Sequence, residues 1–229
     1  MTQPNLTSIV VVLDKSGSMN TVRDATIKGY NDFINEQRRV LGECNITLIL
    51  FDTKQNLVYD FTDIRNAPPL NHEDYRPNGD TALLDAIGDT VDRVGARLRS
   101  LPENKRPSKV IFTVMTDGEE NSSKWFNKDR VNRMVTHQTE KYSWEFVFLG
   151  CEQRAIRDAY LYGFNPQSTL HYTHSGAGYT RGFATLNTAV TNSRTGGTIG
   201  TVFNEQMRSA NTPAVVGTPP PTPKSNSSN

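Results

Sequence analysis

The 229-residue chain has little cysteine, no long apolar run and no excess of charge of either sign. Its two cysteines, Cys44 and Cys151, stand far apart, each beside a strand-like apolar run, which excludes a disulfide framework. The first apolar run, Ile9 to Leu13, is closed by Asp14 and preceded by no basic residue. It is too short for a membrane span or a signal-peptide core, and the expected setting is a reducing cytoplasm. Twenty-five Lys and Arg face 24 Asp and Glu, a formal charge of +1. That balance gives no electrostatic basis for nucleic-acid or anionic-membrane binding, and neither partner is expected.

Apolar residues are also scarce, at 35%, and the deficit is concentrated at the C-terminus. Residues 212–229 hold five of the 12 prolines, no aromatic residue and one charge, Lys224. Such a segment buries too little apolar surface to offset its ordering entropy and reads as a disordered Pro/Ser/Thr-rich tail. Without Lys224, 24 basic residues balance 24 acidic ones, so any charge that matters is local.

What is present is an alternation of two periods. Ile9 to Leu13 is an unbroken β-branched and aliphatic run, repeated at Ile46 to Phe51, Val110 to Met115 and Phe146 to Leu149, the pattern of strands covered on both faces. Between them, Ile27, Tyr30, Ile34 and Leu41, and then Leu84, Ile87, Val91, Val94 and Leu98, follow helical spacing. Further helices are predicted over 127–141, 155–160 and around Tyr179, Phe183, Leu186 and Val190. Leu57 to Phe61 follows the Ile46 strand after a short connection, which predicts a hairpin with one antiparallel edge strand. Right-handed crossovers make this an α/β fold: a doubly wound, mostly parallel six-stranded sheet with helices on both faces.

Three polar loops carry one constellation. Asp14-Lys15-Ser16-Gly17-Ser18-Met19 ends the first buried strand, Asn78-Gly79-Asp80-Thr81 opens the Leu84 helix, and Thr116-Asp117-Gly118-Glu119-Glu120-Asn121 ends the Val110 strand. A D-x-S-G-S turn gathers one carboxylate and two hydroxyls, with Gly17 letting the backbone fold back, and converging oxygens suit a hard cation. Asp14 and Asp117 both lie at C-terminal strand ends, where open α/β sheets form their ligand crevice.

DKSGSM, GDTALLDAI and a buried strand ending MTDGEEN, in that order, resemble the von Willebrand factor A domain and its metal-ion-dependent adhesion site. The resemblance covers about residues 6–192 and implies a Rossmann-like domain over 1–193, a partly helical connection over 194–211, and the strand order 3-2-1-4-5-6. It implies metal contacts from Ser16, Ser18 and Thr81, with Asp14 and Asp117 acting directly or through water. A divalent ion held by neutral hydroxyls and at most two carboxylates is short of negative charge and favours a carboxylate from outside. The resemblance thus implies a protein partner offering an Asp or Glu. Mg²⁺ is the expected ion, Mn²⁺ is expected to substitute, and Ca²⁺ to fit less well. Stand-alone bacterial or phage members of this type work beside AAA+ ATPases or in stress-response assemblies, which makes an assembly subunit one alternative.

A Mg²⁺-dependent phosphohydrolase with Asp14 as nucleophile is the other. Against it, Ser16 stands where such enzymes place a second carboxylate, and no histidine is expected near the metal loops. Asp80, Glu119, Glu120, Lys15 and Lys124 read as surface charge, and Asp85 as a ligand-orienting group or an exposed helical carboxylate. His171 and His174, on one strand, would point to opposite faces and hold no zinc. No phosphate-binding glycine loop is present.

Overall fold

The computed structural model describes residues 2–201. The expected tail at 212–229, and the part of the 194–211 connection beyond 201, lie outside the described residues. Six strands form one sheet: β1 (Gln3–Asp14), β2 (Glu43–Phe51), β3 (Gln55–Asp63), β4 (Pro107–Thr116), β5 (Glu145–Gly150) and β6 (Thr169–His171). Their order is β3-β2-β1-β4-β5-β6, with every pair parallel except β2 and β3. The helices are α1 (Arg23–Arg39), α2 (Leu83–Ser100), α3 (Lys128–Tyr142), α4 (Gln153–Leu161) and α5 (Gly176–Arg194).

The period-2 alternation of β1 divides the core. Ile9, Val11 and Leu13 pack on one face against Ile27, Tyr30, Phe33 and Ile34 of α1 and Tyr179, Phe183, Leu186 and Val190 of α5. Val10 and Val12 pack on the other against Leu84, Ile87, Val91 and Val94 of α2 and Val131 and Val135 of α3. Both faces are covered, which is why the strands read as continuous apolar runs. Gly29 allows α1 and α5 their close approach, since a Cβ there would lie 2.4 Å from the Phe183 ring.

Two expectations need correction. Leu41 belongs to no helical stripe: α1 ends at Arg39 and Leu41 is 89% exposed. The strand expected to carry both histidines stops at His171, leaving His174 in the loop before α5. The described part of the C-terminal connection turns once, at Ile199–Thr201, where Ile199 is buried and its N–H donates to Glu145.

This topology fixes where a ligand crevice can form. From β1 the chain crosses to α1 on one face, whereas from its neighbour β4 it crosses to α3 on the other. The connections part at the C-terminal ends of β1 and β4, and the gap left there is bounded by Asp14 and Asp117.

Candidate functional site

Asp14 closes β1 and is 0% exposed. Its Oδ1 accepts the Ser16 N–H at 2.7 Å and its Oδ2 the Thr116 hydroxyl at 2.6 Å, while the Tyr75 hydroxyl donates to its carbonyl. After Ser16 the chain enters a short 3-10 helix, Gly17–Val22, and the Ser16 and Ser18 hydroxyl oxygens lie 3.2 Å apart. The Ser18 hydroxyl then reaches across to the third loop and donates to Asp117 Oδ1 at 2.9 Å.

The second loop is held against the first by backbone pairing: Gly17 N–H donates to the Gly79 carbonyl at 3.0 Å and Asn78 N–H to the Lys15 carbonyl at 2.8 Å. The left-handed residue that makes this possible is Gly79, at φ +71, rather than Gly17. A side chain at Gly79 would also collide with Thr53 Oγ1, 2.7 Å from the Cβ position. Thr81 is buried, its N–H donates to Asn121 Oδ1 at 2.8 Å, and its hydroxyl lies 3.4 Å from where a Cβ on Gly118 would sit. The fold thus puts Ser16, Ser18 and Asp117 in direct contact, ties Asp14 to them through Ser16, and sets Thr81 against the third loop.

Among the described residues, neither carboxylate is ion-paired with a lysine or arginine. Burial, and then the Asp117 charge, push the Asp14 carboxyl up to about 7, and burial also raises Asp117. Lys15, the basic residue nearest in sequence, is drawn away into an ion pair with Asp52. Asp117 Oδ2 is buried yet accepts no hydrogen bond. Its nearest basic neighbour is His174 Nδ1 at 3.3 Å, beyond an aligned hydrogen bond. Two buried carboxylates facing hydroxyl oxygens, with one oxygen unpartnered, are a donor set that fits a divalent cation. Among the described residues, no three His, Cys, Asp or Glu side chains converge to hold a metal by themselves, so the hydroxyls are essential to the fit.

Several residues take roles other than those expected. Asp85 is not an exposed helical carboxylate: it is buried and accepts the N–H groups of Lys124, Trp125 and Phe126 at 2.8–2.9 Å. Glu120 is likewise structural, accepting Leu84 N–H at 2.8 Å and the N–H groups of Ser122 and Ser123. With the Asp85 N–H donating to Ser123 Oγ, the third loop caps the start of α2, which has no local side-chain cap. A histidine does stand beside these loops, because His174 meets Asp117 and also Thr21 Oγ1 at 2.9 Å. Thr116 and Tyr75, absent from the sequence motifs, fix Asp14. A groove of about 900 Å³, lined by Val91, Leu98, Arg130, Met134 and Trp144, lies at the opposite end of the sheet, away from this chemistry.

No family model and no curated protein sequence matches the chain. Solved structures do match in fold. The zinc-occupied form of proximal thread matrix protein 1 from the mussel byssus aligns at TM-score 0.54 and 15% identity, covering 82% of this chain. This chain spans about half, 46%, of that protein. The von Willebrand factor domain of a type V pilus tip protein from Porphyromonas gingivalis aligns at 0.57 and 11%, covering 83% of this chain and 96% of that one. Manganese-loaded TRAP protein from Plasmodium vivax aligns at 0.51 and 15%, covering 79% and 71%. The chain therefore has the von Willebrand factor A fold, an α/β sheet of six strands flanked by five helices.

Proposed function

We propose that this domain is a divalent-cation-dependent protein-interaction module whose ion is held by Ser16, Ser18, Thr81, Asp14 and Asp117. The observation that carries the reading is the convergence of two buried carboxylates and neighbouring hydroxyls, with Asp117 Oδ2 unpartnered and Lys15 turned away. Zinc and manganese in two proteins of the same fold support it.

Each residue has a separate task. Ser16 and Ser18 present neutral oxygens from a turn whose shape is locked by the Ser16 N–H bond to Asp14. Asp14, tied on both oxygens, is a carboxylate fixed in position whose charge a bound cation would stabilise. Asp117 has the uncommitted oxygen. A bound divalent ion supplies a Lewis-acidic centre whose neutral-rich donors leave it short of negative charge. The partner we infer is a protein carrying an exposed Asp or Glu. Mg²⁺ and Mn²⁺ suit the oxygen donors, and Ca²⁺ fits less well. The same reading places the working unit in residues 1–193 and in the cytoplasm, with Cys44 and Cys151 free and buried. No helix among the described residues is long and apolar enough to cross a membrane.

Phosphoryl transfer through Asp14 fits less well: the carboxylate is fully buried and both of its oxygens are already held in place by Ser16 and Thr116. Nothing in the described residues favours an ATPase-linked assembly over other protein partners.

Thermal melting in Mg²⁺, Mn²⁺ and EDTA tests the reading. Binding to the folded state alone adds about 2.7 kcal/mol at a metal concentration about 100 times Kd. Identical curves in all three conditions overturn it. Capture of an acidic partner by wild type in Mg²⁺, lost in EDTA and in Asp14→Ala, extends the test to the protein ligand.

A further inference from the structure

His174 lies outside every motif that marks the metal loops, yet its ring stands over them. It follows β6 by three residues, and its side chain is 37% exposed at the mouth of the crevice. Nδ1 is 3.3 Å from Asp117 Oδ2, the buried oxygen that accepts no hydrogen bond. Nε2 is 2.9 Å from Thr21 Oγ1, and that hydroxyl in turn has the Ser18 carbonyl as acceptor at 3.3 Å.

These contacts accommodate the tautomer with a free Nδ1. When Thr21 gives its proton to the Ser18 carbonyl, its oxygen accepts from Nε2–H, which leaves the lone pair on Nδ1. A nitrogen lone pair then faces a carboxylate oxygen, an arrangement that a shared cation makes favourable. The spacing suits one: adjacent donors around an octahedral ion with bonds of about 2.1 Å sit roughly 3.0 Å apart. Ser16 to Ser18 at 3.2 Å, Ser18 to Asp117 Oδ1 at 2.9 Å and Asp117 Oδ2 to His174 at 3.3 Å each lie near that edge length, the carboxylate presenting one oxygen to the serines and the other to the histidine. Metal-bound imidazoles characteristically donate their second ring N–H to a fixed acceptor, the position Thr21 occupies.

We infer that His174 is a nitrogen ligand of the bound ion, acting through Nδ1 beside Asp117, and that it tunes the site toward transition ions such as Zn²⁺ and Mn²⁺ over Mg²⁺. The inference rests on the metal-module reading above and adds the class of ion. Imidazole binds zinc and other late first-row ions well, whereas magnesium prefers oxygen and water, so one nitrogen shifts the selectivity in a known direction.

The test is pulsed electron paramagnetic resonance of the Mn²⁺-loaded protein, with Zn²⁺ and Mg²⁺ affinities measured by titration calorimetry, for wild type, His174→Ala and His174→Gln. Wild type is expected to show ¹⁴N coupling from a coordinated imidazole, absent in both variants. Zn²⁺ affinity is expected to fall on the order of 10- to 100-fold in His174→Ala, and Mg²⁺ affinity by less than about threefold, the ordering that nitrogen preference dictates. Thr21→Val, which removes the Nε2 acceptor, weakens Zn²⁺ binding in the same direction but less. Metal binding without ¹⁴N coupling, coupling that survives in His174→Ala, or equal losses for Zn²⁺ and Mg²⁺ each overturn the ligand assignment and leave the module reading standing. No binding of any of the three ions overturns both. Metal-free melting curves of the variants that match wild type exclude misfolding as the cause.

Discussion

The ends of β1 and β4 each carry one aspartate into the same crevice, but the two are built differently. Asp14 is fully buried, with both oxygens committed to Ser16 and Thr116 and its carbonyl held by Tyr75. Asp117 keeps one oxygen on Ser18 and leaves the other without a hydrogen bond, next to an exposed histidine. In the proposed site, one end is a carboxylate fixed in position and the other an adaptable ligand. A site that must take up an ion and an external carboxylate needs both: a rigid carboxylate to attract the ion, and a less constrained oxygen to adjust as ligands change.

The largest expected effect concerns the buried Asp14 carboxyl in metal-free protein. Asp14 titrates near 7 when folded against an ordinary carboxylate value of 3.8, so between those pH values the folded state retains a proton that the unfolded chain has lost. Its contribution to stability is full below about pH 4, falls as pH rises, and levels off above about 7. The slope is at most roughly 1.4 kcal/mol per pH unit, a total on the order of 4 kcal/mol. Denaturant melts in EDTA from pH 4 to 8 measure it. Asp14→Asn is expected to flatten the curve and Asp117→Asn only to reduce its slope, whereas equal effects from the two would erase the contrast between the strand ends.

Metal sharpens the same contrast at a slightly smaller scale. Saturating Mn²⁺ is expected to stabilise wild type by about 2.7 kcal/mol at about 100 times Kd. Asp14→Ala and Asp117→Ala are both expected to lose this. They differ without metal: Asp14→Ala strands the buried Ser16 N–H and Thr116 hydroxyl, while Asp117→Ala releases only the Ser18 hydroxyl. Metal-free Asp117→Ala is therefore the more stable variant near neutral pH only if the stranded donors at β1 outweigh the buried charge that Asp14→Ala removes, and urea midpoints at pH 5, where that charge is largely neutral, are expected to show it.

A third comparison separates the metal ends from the loop that supports them. Asp85 accepts three consecutive N–H groups of the third loop. Asp85→Ala leaves them without an acceptor, and the expected cost is about 2 kcal/mol. Hydrogen exchange at Lys124, Trp125 and Phe126 is expected to accelerate more than exchange at Ser16. Uniform acceleration would mean that the loops are a single cooperative unit.

Much of this was legible in the sequence, for physical reasons. Strands buried on both faces must read as unbroken apolar runs, so Ile9 to Leu13 and Val110 to Met115 announced the parallel sheet and, through the loops that follow them, Asp14 and Asp117. The rest depended on contacts between distant segments. Thr116, Tyr75 and Asn121 carry no local pattern, because their partners lie 102, 61 and 40 residues away. His174 was misplaced because β6 has only three residues, too few for alternation to reveal where the strand stops. Ser175, which caps α5, was the available signal that the histidine precedes a helix, since Ser followed by Gly-Ala-Gly and an apolar stripe marks a helix start. Helical spacing leaves Asp85 open between a ligand-orienting and an exposed role, because it shows which face is polar but cannot show that a loop folds over it.

The smallest predicted effect is also the most specific to the β1 end. Thr116 donates to Asp14 Oδ2 and so favours the charged carboxylate, acting against burial and the Asp117 charge. Thr116→Val keeps the shape of the side chain and removes that donor, at an expected cost of about 1 kcal/mol. Because the lost bond stabilised the charged form, the Asp14 carboxyl moves further up, and the fall in metal-free stability with pH extends beyond 7. Ser18→Ala, which removes the corresponding donor at Asp117, is expected to leave that part of the curve where it is. If both variants shift it alike, the carboxylates titrate as one unit, and the division between a fixed carboxylate at β1 and an adaptable ligand at β4 fails.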